Sequence, residues 1–429
     1  MKFFIAARTS ALLSLLFLVI YGTCNWLSSQ RNDVGSLYFE WERHIPFVPW
    51  MIAPYMSINL FFVGAPFLCH DRAELRTLSR RIIFAIVVAG ICFLLFPFRF
   101  AFERPHAEGW LGVVFDWFRS MDQPYNLLPS LHIALRTILA AIYVRHTKGL
   151  LRLACNIWFS LIGLSTLLTY QHHLLDVVGG FVLAACCFYF IRESPTRLPV
   201  VSTPGLGYYY LFAAVLLAAF ALWLRPWGVL LFWPVLSLLI VASGYFGIGP
   251  GIYRKTAGRL PLSTRCVLGP VIFGQWLSLL YYQRQCRPWD EVVPGVWIGR
   301  KLNDREANEA VRRGVTAVLD LTAEFSEAKP FLATRYLNVP ILDLTAPAQE
   351  QLHRMAAFIG ERSAAGIVYV HCKIGYSRSA AAAGAFLLAT NRVSNVEDVL
   401  AALRRVRPSI VVRPEVIAAL TEFSSRLKR

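Results

Sequence analysis

The stretch of this 429-residue chain that most directly encodes chemistry is Val370-His371-Cys372-Lys373-Ile374-Gly375-Tyr376-Ser377-Arg378-Ser379. A short apolar run, Ile367 to Val370, precedes it, and an alanine-rich helical run, Ser379 to Ala389, follows. In a strand-loop-helix setting, the five residues Lys373, Ile374, Gly375, Tyr376 and Ser377 let the backbone curl until its N–H groups converge on one anion at a helix N-terminus. The same field lowers a thiol pKa and makes thiolate available at neutral pH. Arg378 can then clamp two phosphate oxygens at once. A leaving oxygen also needs a proton, and Asp343, on the loop after a short strand and 29 residues before Cys372, is a candidate to give it. Asp320 is the competitor, but Val-Leu-Asp-Leu reads as a strand in which it is structural.

A second set of polar residues stands where apolar ones are expected. Arg104-Pro105 follows an apolar run, Pro129-Ser130-Leu131-His132 opens the next, Ser165 lies near the end of another, and His172-His173-Leu174-Leu175-Asp176 begins a further one. His172 and Asp176, four apart, are expected on one helical face. A histidine oriented by an aspartate can attack phosphorus, and His132 can protonate the leaving oxygen.

The elements that must hold these residues follow from composition. The chain is 56% hydrophobic and 16% charged, which is a membrane protein carrying a polar part. From Arg287 onward there are 20 basic and 15 acidic residues; the longer first part holds 23 and 11, so the basic excess sits mainly beside apolar runs, where it sets topology, and nucleic-acid binding is disfavoured. Nine cysteines without paired spacing give neither a disulfide framework nor a zinc site. Apolar runs at about 1–27, 47–69, 82–101, 127–145, 152–170, 172–191, 207–224 and 227–246 predict eight spans, the first a retained helix rather than a cleaved leader. Basic residues in the loops at 70–81 and 145–152, then Arg192 with Arg197, and Arg254, Lys255, Arg259 and Arg265, fall on one side if both termini are cytosolic. The run from Cys266 to Tyr282 is expected to be interfacial or re-entrant, with Trp276, Tyr281 and Tyr282 as anchors.

The expected division is a polytopic all-α membrane domain, 1–250, a linker, 251–288, and an α/β domain with a central, mainly parallel sheet, 289–429. In the last, Val296–Arg300, Thr316–Leu321, Tyr336–Val339 and Ile367–Val370 read as strands, and Asp304–Arg313 and Gln349–Arg362 as helices.

Two resemblances carry this further. Residues 289–427 resemble the tyrosine and dual-specificity phosphatases through the Cys-x5-Arg loop with its preceding His and following Ser. That resemblance implies a phosphocysteine on Cys372, phosphoryl binding by Arg378, protonation by Asp343, tuning of the thiolate by His371 and help from Ser379 in hydrolysing the intermediate. Lys373 beside the nucleophile is similar to phosphatases of lipid head groups, including the mitochondrial phosphatidylglycerophosphate phosphatase, whereas Tyr376 stands where such enzymes often carry a second basic residue. Residues 40–195 resemble the type 2 phosphatidic acid phosphatase superfamily, in particular its Pro-Ser-Leu-His branch with the inositol phosphorylceramide synthases. Here the resemblance implies His172 as nucleophile, Asp176 as its orienting partner, His132 as acid, and Arg104 and Ser130 as phosphate ligands. Pro97 and Thr166 occupy positions where that superfamily carries cations, a loss that weakens the phosphate clamp unless Arg99 or another residue substitutes. The pair resembles bacterial inner-membrane two-domain phosphatases. The expected activity is phosphomonoester hydrolysis without metal or cofactor, on a phosphorylated lipid or protein. The alternatives are a membrane unit that transfers a head group between lipids, or one that only anchors or senses lipid.

Overall fold

The computed structural model describes residues 2–193 and 201–428. Arg197, one of the residues used above to orient the spans, lies outside them. The chain divides into two compact units, one of residues 1–195 with 221–230, the other of 196–220 with 231–429.

The first unit is a bundle whose main helices are Lys2–Ser29, Ile52–Leu68, Arg72–Leu95, Leu131–His146, Gly149–Leu168 and Leu174–Phe190. Its core is a continuous apolar seam that includes Ile82, Ile86, Leu139, Phe159 and Ile162. Leu174–Phe190 approaches the start of Leu131–His146 so closely that a Cβ at Gly180 would lie 2.5 Å from the Ser130 carbonyl oxygen. The Ser130 N–H donates to the Asp176 carbonyl at 2.9 Å, so the two histidine-bearing motifs are joined through backbone.

Across both units, six of the described helices are long and apolar enough to cross a membrane: Phe3–Ser29, Pro49–Leu68, Arg72–Leu95, Gly149–Leu168, Pro204–Trp223 and Trp227–Tyr253. The chain is a membrane protein on that basis. The fourth and sixth expected spans are helices of only 16 and 17 residues, Leu131–His146 and Leu174–Phe190. Each loses length for the same reason: the backbone before it, through Ser130 and through His173, is given to the non-helical segments that carry the polar motifs.

The second unit joins a five-stranded sheet to the last apolar helices. The strands are β1 (Trp289–Val293), β2 (Val296–Arg300), β3 (Val315–Thr322), β4 (Arg335–Ile341) and β5 (Ile367–Cys372). Their order is β1-β2-β5-β3-β4, with β1 antiparallel to β2 and the remaining pairs parallel. The expected mainly parallel sheet is thus present, with β1 as an additional edge strand. Central β5 is buried almost throughout, as a parallel strand covered on both faces must be. Helices Gln349–Ser363, Ser377–Ala389 and Pro414–Leu427 contribute Leu352, Phe386 and Leu420 to the core against it. The run at 266–282 forms the end of one short helix, Leu262–Val267, and a second, Gly269–Tyr282. Both lie against Phe232–Ser243: Trp233 Nε1 donates to the Cys266 carbonyl at 2.9 Å and the Ser237 hydroxyl to the Val267 carbonyl at 2.6 Å.

Candidate functional site

The signature loop leaves the C-terminal end of β5, between β2 and β3, where open α/β sheets place their ligand sites. The following helix begins at Ser377, two residues earlier than the sequence indicates, so Arg378 lies in its first turn. Gly375 has φ +80°, and a Cβ there would lie 2.4 Å from the Gly299 carbonyl carbon, so the tight curl against β2 requires glycine. Inside the curl, the Gly375 N–H donates to Cys372 Sγ at 3.3 Å. Burial alone would push the Cys372 thiol up, but the Arg378 charge, with donors from Ser379 and Gly375, outweighs it and brings the pKa below the ordinary cysteine value.

Arg378 is held from three sides. Its Nη2 lies 2.7 Å from Glu324 Oε1 and 3.0 Å from Asp343 Oδ1, and its Nη1 donates to the Ile341 carbonyl at 2.9 Å. Asp343 is also 2.6 Å from Lys373 Nζ, which donates in turn to Gln275 Oε1 at 2.7 Å. Burial works to raise the Asp343 pKa, yet Arg378 and Lys373 together hold it below the usual carboxylate range. Cys372, Arg378, Asp343, Lys373, Ile374, Tyr376 and Ser377 therefore meet around one cavity of about 270 Å³, to which Tyr282, Val411 and Arg413 also contribute.

His371 is fully buried and points away from this cavity. Its Nε2 lies 2.6 Å from Glu327 Oε2 and 3.8 Å from Asp320 Oδ1. Burial opposes the imidazolium, but Glu327 and Asp320 outweigh burial and raise the His371 pKa. Asp320 accepts from Lys255 Nζ, the Thr322 hydroxyl and the Tyr336 hydroxyl, which is a structural role. Among the described residues, Asp320, Glu327 and His371 form the one group with metal-ligating geometry, their ligand atoms within 4.8 Å of one another. Lys255 is paired with Asp320, and Lys301 Nζ lies 3.8 Å from Glu327, so protein cations balance this group.

In the membrane unit, a cavity of about 400 Å³ brings His132 and His172 together with Tyr21, Tyr55, Asp122 and Asn126, its remaining walls being largely apolar. The His132 ring stacks on Tyr55 at 4.2 Å between centroids, and His132 Nε2 and His172 Nδ1 are buried without a hydrogen-bond partner. His172 is not on a helical face with Asp176, because the helix starts at Leu174. Thr166 instead fixes it, accepting the His172 N–H at 3.0 Å, and the helix N-terminus presents Asp176 Oδ2 3.6 Å from His172 Nδ1. Asp176 makes its shorter bond to the His173 N–H, at 2.7 Å. His173 itself is a packing residue, held by Glu42 at 3.1 Å and stacked on Phe100. Ser130 is buried as an N-cap, and Ser165 is bonded to its own helix; neither lines the cavity, nor does Arg104, whose Nε is buried without a partner. Arg99 is exposed and is not among the residues that line the cavity. Arg119, bonded to the Pro105 carbonyl, is a second guanidinium beside the Arg104 loop.

Sequence reasoning missed Glu324, Glu327, Gln275, Tyr282 and Arg413. The signal available for the first two was position: acidic residues just past the C-terminal end of a parallel strand. Nothing local marks the others.

Comparison with known proteins matches residues 296–426 to the dual specificity phosphatase catalytic domain and residues 50–190 to the PAP2 superfamily. Dual specificity protein phosphatase 12 of Mus musculus is 36% identical over 126 residues, 28% of this chain and 37% of that protein. The Mus musculus protein named phosphatidylglycerophosphatase and protein-tyrosine phosphatase 1 is 34% identical over 93 residues, 21% of this chain and 48% of that one. This chain thus spans less than half the length of either relative. The solved structure of Tk-PTP in its active form is similar at 28% identity and a TM-score of 0.31, covering 32% of this chain and 97% of that one. The chain carries a PAP2 superfamily domain followed by a dual specificity phosphatase catalytic domain, both of them phosphatase families.

Proposed function

We propose that the chain is a two-site membrane phosphatase whose cysteine site hydrolyses a phosphomonoester, on a lipid head group or a phosphoprotein, at the cytosolic face of a bacterial-type inner membrane. The observation that carries this reading is the convergence of Cys372, Arg378 and Asp343 on one cavity. The phosphoryl group enters the curl formed by Lys373, Ile374, Gly375, Tyr376 and Ser377, and its oxygens take Arg378 away from Asp343. Cys372 Sγ attacks phosphorus as the ester P–O bond breaks, and Asp343 gives its proton to the departing oxygen. Release of Asp343 from the two cations is what lets it hold that proton, since phosphate replaces it as their counter-charge. Water then attacks the phosphocysteine, with Asp343 taking the proton and Ser379 assisting departure of the thiolate. Lys373 and the relative named for both phosphatidylglycerophosphate and tyrosine phosphate support keeping both substrate classes.

The membrane unit we read as an outward-facing lipid phosphate phosphatase. His172 attacks, Asp176 orients it and His132 protonates the leaving oxygen, whereas Arg104 and Ser130, the phosphate ligands that the resemblance implies, stand outside the cavity lining. Support comes from the shared cavity of His132 and His172, with apolar walls suited to acyl chains. The positions of Pro97, Thr166 and Arg99 favour the second reading, a unit that binds lipid without turning it over. Purified chain offered labelled phosphatidic acid, phosphatidylglycerophosphate and a phosphotyrosine peptide tests both. Release of phosphate from lipid by Cys372→Ser protein supports two enzymes; loss of every product in that variant leaves the cysteine site alone. A transferase would need an added lipid acceptor where a hydrolase needs only water.

A further inference from the structure

Behind the signature loop, on the side away from substrate, lies a charge cluster that the catalytic domain does not complete by itself. Asp320 on β3 stands opposite His371 on β5 in the sheet register, and Glu327 closes the group at 2.6 Å from His371. Two buried carboxylates against one imidazolium leave a net negative charge directly behind Cys372, and an unbalanced charge at such depth is costly. Lys255 supplies the balance: its Nζ donates to Asp320 Oδ2, and at 3.0 Å to both the Thr322 carbonyl and hydroxyl oxygens. Tyr336 on β4 donates to the same Asp320 oxygen, and Lys301 stands 3.8 Å from Glu327.

Lys255 lies outside the matched domain, 41 residues before its first residue, in the connector that follows the apolar helix Trp227–Tyr253. That connector is seated by more than one bond. A tight turn pairs Thr256 with Arg259, Glu327 N–H donates to the Gly258 carbonyl at 2.7 Å, and Leu260 N–H donates to the Ser326 hydroxyl at 2.9 Å. Gly258 has φ +72°, and a Cβ there would lie 2.4 Å from Leu332, so the turn rests directly on the domain.

We propose that Lys255 is a positioning residue of the cysteine site, which the connector after the membrane helices inserts behind the signature loop to complete its buried charge cluster. The inference rests on Cys372 being the nucleophile. The groups that face the thiol from the substrate side are Arg378, Glu324, Asp343 and Lys373; those behind it are His371, Glu327, Asp320, Tyr336, Lys301 and Lys255. Removing Lys255 leaves the Asp320 charge uncompensated, which disfavours the thiolate.

The test is the pH dependence of Cys372 alkylation by iodoacetamide in the full chain in lipid nanodiscs, resolved from the other cysteines by peptide mass spectrometry. Lys255→Met is expected to raise the midpoint by about one pH unit, so that alkylation below the midpoint slows about ten-fold. Lys255→Arg keeps the wild-type midpoint, and the double variant Lys255→Met with Asp320→Asn returns to it, because both charges are then gone. If Lys255→Met does not fold, Lys255→Gln, which retains a donor for Thr322, is expected to give the same direction. A single variant with the wild-type midpoint, or a double variant no closer to wild type than the single, overturns the proposal. A wild-type midpoint near that of an ordinary thiol would instead remove the nucleophile reading on which it stands.

Discussion

The two sites treat their polar atoms in opposite ways. In the cysteine unit every charged group at the cavity is already paired with protein: Arg378 with Glu324 and Asp343, and Lys373 with Asp343 and Gln275. In the histidine unit, His132 Nε2 is buried without a partner, and a carboxylate, Asp122, lines the same cavity. The difference teaches where phosphate can gain its binding energy. In the first it must displace a carboxylate from two cations that remain fixed by other partners; in the second it would meet a ring nitrogen, His132 Nε2, that is otherwise costly to bury.

The largest effect expected from breaking this comparison is at Cys372. Cys372→Ser should lower turnover of an aryl phosphate by about 10⁴-fold or more, since no other thiol lies in the curl and a hydroxyl is a far weaker nucleophile. In that background, release of phosphate from a lipid substrate belongs to the other unit, and adding His172→Ala should remove it, a loss of about 10³-fold measured with radiolabelled lipid. Asp343→Asn should cost about 10²-fold to 10³-fold on alkyl phosphates and less on a p-nitrophenyl ester, whose leaving group needs no proton.

The pH profile sharpens the same point. The Cys372 thiol and the Asp343 carboxyl are both held below their ordinary values, so both limbs of the kcat/KM profile are displaced to lower pH. The optimum of kcat/KM should therefore fall on the acid side of neutrality, and Asp343→Asn should flatten the alkaline fall. A smaller effect is expected at Glu324, where Glu324→Gln loosens Arg378 and should cost about ten-fold in kcat/KM. The smallest is Tyr245→Phe, which removes the 2.9 Å bond from Tyr245 to the Asp343 carbonyl and, at about 1 kcal/mol, should slow turnover a few-fold.

The parts of these sites legible in the sequence are those made of neighbours along the chain. The signature loop, its strand and helix, and Asp343 at the end of a strand carry local signals of type and spacing, and the structure brings them to one cavity. Glu324 was not legible, because its meeting with Arg378 spans 54 residues and depends on β3 lying beside β5. Gln275, Tyr245 and Lys255 were hidden for a stronger reason: they come from apolar helices and a connector whose sequences read as membrane and linker. In the membrane unit the adjacent histidines were legible as a motif, but not which would be structural. His173 is taken by Glu42 from 131 residues away, while His172, fixed by Thr166, faces the cavity.

The most direct test of two nucleophiles on one chain is rapid quenching of the nanodisc-held protein during turnover of labelled lipid phosphate and aryl phosphate, with the phosphorylated residue located by mass spectrometry. The account predicts an acid-stable label on Cys372 that Cys372→Ser removes, and an acid-labile, alkali-stable label on His172 that His172→Ala removes. A label on Cys372 alone, with all lipid turnover lost in Cys372→Ser, would contradict it and leave the membrane unit a lipid-binding partner of a single enzyme.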